Sequence, residues 1–182
     1  IFEELVAHQV SLLSRRAYIQ QIEAPRISTS RQFAKQLLSS LPFEMTNAQK
    51  RVSKEIVQDL KLNKPMLRLV QGDVGAGKTL VAGVAACHAL EEGWQVALMA
   101  PTEILAEQHY LNFKKWFEPL GLSVSWLSGK QKGKARAAAE QAIVDGTAHL
   151  VVGTHALFQD NVRFAKLGLV IIDEQHRFGV DQ

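Results

Sequence analysis

A single cysteine, Cys87, stands in 182 residues. One thiol cannot close an intramolecular disulfide, so the fold does not rest on cross-links and suits a reducing compartment. Long hydrophobic runs are also missing. None approaches the ~18 residues of a membrane span, and the longest candidates, such as residues 167–173, are strand-sized. The opening Ile1-Phe2-Glu3-Glu4 lacks the basic start and apolar core of a signal peptide. Together these absences point to a cytoplasmic chain with no membrane partner. Charge of one sign is scarce as well, with a net charge of only +3. The basic excess lies in the N-terminal third and locally at Lys130, Lys132, Lys134 and Arg136, compatible with nucleic acid without demanding it. Internal repeats and low-complexity tracts are absent, and no His/Cys set has metal-ligand spacing. What is present is ample apolar content, 47% against 21% charged, which excludes disorder of the whole chain. The chain starts without Met and stops shortly after Gly179-Val180, so it reads as part of something longer.

Three textures follow one another. Phe2, Leu5, Val6, Val10, Leu13 and Ala17 recur at helical spacing. The stretch from Glu23 to Ser30 breaks that pattern and reads as a linker. A short helix with Phe33, Leu37, Leu38 and Leu41 inward should end before Pro42. Residues 1–40 carry no chemical motif and read as a helical connector. From residue 41 to 182 the pattern changes. Thr46 suits the N-cap of a helix over Asn47–Leu62. Apolar runs then alternate with helical stretches: strands are expected at Met66–Gln71, Gln95–Ala100, Ser123–Leu127, His149–Val152 and Leu169–Asp173, and helices at Lys78–Glu92, Glu103–Phe117 and Lys134–Val144. Such alternation predicts an α/β domain, a parallel sheet with helices on both faces.

The strongest chemical signal is Gly72-Asp73-Val74-Gly75-Ala76-Gly77-Lys78-Thr79. It satisfies the phosphate-loop pattern G-x-x-x-x-G-K-[ST] between an expected strand and an expected helix. Glycines let backbone N–H groups approach phosphate oxygens, and the helix N-terminus adds positive potential. Lys78 can reach the β- and γ-phosphates of ATP, and the Thr79 hydroxyl can ligate Mg²⁺. A second signal is Leu169-Val170-Ile171-Ile172-Asp173-Glu174, an apolar strand ending in two carboxylates. Asp173 suits the metal, and Glu174 suits orienting and activating the attacking water.

Asp173-Glu174-Gln175-His176-Arg177-Phe178-Gly179-Val180 resembles motif II of superfamily 2 helicases of the DExH type. Ala100-Pro101-Thr102-Glu103-Ile104-Leu105-Ala106-Glu107-Gln108 resembles motif Ia, and Val152-Gly153-Thr154-His155-Ala156-Leu157 a later DNA-contacting motif. Phe43-Glu44-Met45-Thr46-Asn47-Ala48-Gln49 resembles the adenine-reading Q motif. Within that superfamily the combination is similar to the bacterial helicases that regress stalled forks and migrate branched DNA, with the transcription-repair coupling translocase as the nearest alternative. The resemblance implies a RecA-like P-loop fold, ATP and Mg²⁺ as cofactors, and branched or forked DNA as partner. It implies an adenine contact at Gln49, DNA contacts at Thr102, Thr154 and His155, and coupling of nucleotide state to DNA through Gln175 and His176. It also implies that residues 41–182 form the first motor lobe, whose partners are a second motor lobe carrying an arginine finger and a fork-splitting wedge domain.

The cations Lys130, Lys132, Lys134 and Arg136 read as a solvated loop and helix start that could also touch DNA phosphates. His8, His88, His109 and His149 read as ordinary helix or strand-edge residues. Cys87 reads as a small packing residue, and Trp94, Trp116 and Trp126 as core or rim packing. The phosphate loop and carboxylates alone would equally serve an ATPase that switches a protein partner without DNA. Only the motor needs the Thr102 and Thr154 motifs.

Overall fold

The computed structural model describes residues 6, 10–11, 13–14, 17–18, 21–27, 31–73 and 75–173. Val6, Val10, Leu13 and Ala17 are helical, as their spacing requires, and all four are exposed. Phe2 and Leu5 of the same stripe lie outside the described residues, as do Val74, Glu174, Gln175 and His176.

Helix α1 (Gln32–Ser40) stops at Leu41, before Pro42. Helix α2 (Asn47–Leu60) starts on a capping box, in which Thr46 Oγ1 accepts from the Gln49 N–H and Gln49 Oε1 accepts from the Thr46 N–H. There follow α3 (Lys78–Glu91), β1 (Gln95–Met99), α4 (Glu103–Phe117), β2 (Val124–Leu127), α5 (Gly133–Val144), β3 (Leu150–Gly153) and β4 (Leu167–Ile172).

The four strands form one sheet in the order β2-β3-β1-β4, every pair parallel. Alternation along β1 divides the core. Val96 and Leu98 face Leu80, Val84 and Phe113 on one side, while Ala97 and Met99 face Ile143 and Leu157 on the other. Helices therefore cover both faces, with β1 wholly buried, as expected of a parallel sheet. Ile27, Ala34 and Leu37 join the larger of these clusters, so α1 shares its core with the sheet. Gly153 sits where a side chain would collide with the Leu127 carbonyl, which allows β3 to pass close to β2.

One strand expectation fails. Residues 66–71 run without regular structure and pair with no described strand. Met66 and Val70 pack on the core, but Leu67 and Leu69 are 74% and 79% exposed. An apolar run favours an extended backbone, but a strand also needs to pair with a neighbour's N–H and C=O groups, and residues 66–71 make no such ladder with the outer edge of β4.

Candidate nucleotide and nucleic-acid site

Because all strands are parallel, their C-terminal ends share one edge of the sheet, where ligands of open α/β sheets bind. β1 leads there into Pro101-Thr102, β2 into Ser128-Gly129, β3 into Thr154-His155, and β4 into Asp173. Segments that stand far apart in the sequence are thus collected on one rim.

The phosphate loop enters α3 through Gly77, whose left-handed backbone (φ 73°, ψ 30°) serves as the N-cap with no side-chain cap. No side chain of the cap competes with an anion at the start of α3, although the Leu80 N–H turns back on the Gly77 carbonyl. Lys78 Nζ donates to the carbonyls of Gly72 and Asp73, which keeps the ammonium against the loop that carries Gly75 and Ala76. Thr79 follows as the second residue of α3. Gln49 reaches across from α2, donating from Nε2 to the Ala76 carbonyl at 2.9 Å. Glycine is needed at 77 for its φ, and a Cβ there would also displace the Gln49 amide from the loop. Gln49 thus links the capped start of α2 to the loop.

Asp173 is pinned by its main chain, the N–H donating to the Met99 carbonyl at 2.8 Å. Its Oδ2 lies 2.6 Å from His109 Nε2. The reading of His109 as an ordinary helix residue is corrected by this contact. Nothing in the amphipathic pattern of α4 marks it, because its partner lies 64 residues away. Among the described residues no group of three or more His, Cys, Asp and Glu side chains could cage a metal. A partly exposed carboxylate with a threonine hydroxyl as a further hard oxygen donor suits Mg²⁺, which is held by one or two carboxylates together with phosphates and water. The residues present fit that ion.

The candidate nucleic-acid residues are organised by Glu103, which sequence reasoning passed over. Its Oε2 accepts from Ser128 Oγ at 2.7 Å and its Oε1 from the Gly129 N–H at 3.2 Å. Thr154 Oγ1 donates to Oε1 at 3.4 Å. One carboxylate at the start of α4 thus holds the loops after β2 and β3. Thr102 Oγ1 caps α4 by accepting from the Leu105 N–H at 3.3 Å. Lys130, Lys132, Lys134 and His155 are exposed. Arg136 is committed to the fold, donating to Glu140, to the Ser128 carbonyl and to Gln159. Cys87 is fully buried, and desolvation pushes its thiol up to about 12, which removes thiolate chemistry from the site. No described helix is long and apolar enough to cross a membrane.

The model of the DEAD/DEAH box helicase family matches residues 46–182. Over all 182 residues the chain is 58% identical to the ATP-dependent DNA helicase RecG of Escherichia coli K12, of which it covers 26%. It is 57% identical over the same span to RecG of Haemophilus influenzae, again covering 26%. The chain thus spans about a quarter of the length of these relatives. A solved structure of RecG bound to a three-way DNA junction superposes with a TM-score of 0.88 at 42% identity, covering 97% of this chain and 24% of that one. The UvsW helicase of bacteriophage T4 shares the fold, with a TM-score of 0.58 at 21% identity over 87% of this chain and 55% of its own. With three quarters of its length matched, motif II included, the chain belongs to the DEAD/DEAH box helicase family.

Proposed function

We propose that residues 41–182 act as the first, nucleotide-binding lobe of an ATP-driven motor on branched DNA, as in RecG, with residues 1–40 connecting it to a wedge domain. The phosphate loop from Gly72 to Thr79 would hold the β- and γ-phosphates, with Lys78 as the point charge and Thr79 and Asp173 as Mg²⁺ ligands. Bound Mg-ATP supplies the transferable phosphoryl group. Glu174 would take the proton of the attacking water, and Gln175 and His176 would pass nucleotide state towards DNA. Gln49 would read adenine while bracing the loop. Thr102, Thr154, His155 and the exposed lysines 130, 132 and 134 would meet the DNA backbone, giving contacts without sequence preference. The work would be cytoplasmic, on DNA.

The observation that carries this reading is the Glu103 hub. It joins motif Ia to the loops after β2 and β3 on the same rim as Asp173. The segments it joins are those that the helicase resemblance assigns to DNA, and the protein switch gives the Thr102 and Thr154 motifs no role. The test is exchange: this chain replaces the matching residues of the E. coli relative, and ATP hydrolysis is followed with and without forked DNA. Stimulation by forked DNA is expected. Hydrolysis that ignores DNA would reject the motor and favour the protein switch.

A further inference from the structure

Helix α4 carries a histidine that the chemistry above leaves unused. His109 Nε2 and Asp173 Oδ2 are 2.6 Å apart. A carboxylate can only accept, so Nε2 carries the proton and donates. Asp173 is then held at two points, its main chain by β1 through Met99 and its carboxylate by α4. The imidazole is itself fixed: it stands edge-on to Phe113 with ring centroids 6.3 Å apart, and Phe113 is fully buried. The two side chains are only 15% and 29% exposed, a setting in which a hydrogen bond to a charged acceptor gains strength over its value in water. His109 occupies Oδ2 and leaves Oδ1 for a cation or its water.

The same helix begins at Glu103, whose carboxylate holds the loops after β2 and β3. Six residues separate Glu103 from His109, about 9 Å along the axis. One helix therefore carries both the clamp on the loops assigned to DNA and the clamp on the metal carboxylate.

We propose that His109 is a positioning residue of the nucleotide site. Its Nε2–H sets the orientation in which Asp173 meets Mg²⁺, and through α4 it ties that orientation to the Glu103 loops. The proposal rests on the nucleotide reading above. It differs from a merely structural bridge between helix and sheet, which would change stability and leave the magnesium dependence of binding alone.

The experiment measures binding of a fluorescent ADP analogue to the 182-residue chain across a magnesium titration and in excess chelator. His109→Ala should raise the magnesium concentration needed for half-maximal enhancement by about 10–100-fold, the usual loss when a partner of a metal ligand is removed. Affinity in chelator should not change. His109→Phe keeps a ring against Phe113 without a donor and should behave like His109→Ala, so a folding defect in the alanine variant leaves the proposal open to refutation. His109→Gln restores an N–H donor and should recover most of the magnesium response. Lys78→Ala, by contrast, should lose affinity in both conditions. An unchanged magnesium midpoint in His109→Phe, or equal weakening with and without magnesium, overturns the positioning role while nucleotide binding stands. Failure of the unsubstituted chain to bind nucleotide in magnesium overturns the nucleotide reading, and this proposal with it.

Discussion

Two neighbours on α3 show how burial decides what a side chain can do. Cys87 becomes an inert packing group, while the adjacent His88 becomes a stability element. His88 is 3% exposed and its Nδ1 has no hydrogen-bond partner. Desolvation lowers its pKa below the ordinary value, Arg31 and Lys61 lower it further, and Glu91 opposes them. The folded chain therefore prefers the neutral ring, whereas the unfolded chain takes up a proton near pH 6.5. The His88 contribution is complete above that pH and is lost as pH falls from there through the lower folded value. The melting temperature should drop between pH 7.5 and 5.5, and His88→Leu should flatten that drop. An equal drop in the variant would place the sensitivity elsewhere. The loop from Gly72 to Thr79 and Asp173 were legible in the sequence because their chemistry is written in adjacent residues. His109 and Glu103 were not, since their meaning comes from partners 25 to 64 residues away, brought close only when parallel strands align their ends.

At the scale of elements, most helix boundaries were legible because their stop and start signals are local. Thr46 caps α2 and Thr102 caps α4 as the residue types require. The stretch 66–71 was not, because its apolar pattern speaks for an extended backbone and says nothing about a partner. The same limit appears at β4, the outermost described strand of the sheet. Val170 and Ile172 are 41% and 51% exposed there, although Leu167–Ile172 reads as an almost uninterrupted apolar strand. An exposed, apolar strand edge is a template for pairing with another chain. The isolated 182-residue chain should therefore associate with itself as concentration rises, and Val170→Lys should suppress this by placing a charge on the edge. Sedimentation velocity across a concentration series checks it. If both forms remain monomeric throughout, the edge is protected in a way that its exposure does not reveal.

At the scale of the whole molecule, even a complete nucleotide site would not suffice for turnover. Phosphoryl transfer develops negative charge, and an arginine finger stabilises it by about 10³–10⁵ in rate. Two of the six described arginines are committed to ion pairs elsewhere, Arg68 to Glu55 and Asp59 and Arg136 to Glu140. Neither is offered to the loop. The helicase resemblance assigns the finger to a second lobe, facing Lys78 across the cleft. Arg177, three residues past Glu174 in the sequence, lies outside the described residues. The isolated chain should thus bind Mg-nucleotide but hydrolyse ATP barely above background, and should not unwind DNA. Set into the E. coli relative in place of the matching residues, it should gain at least three orders of magnitude in turnover, with further stimulation by forked DNA. A coupled assay of phosphate release on both proteins decides the matter. Should the isolated chain match the exchanged protein in rate, the arginine would have to come from within these 182 residues. The two-lobe motor would then give way to a self-sufficient ATPase that switches a protein partner.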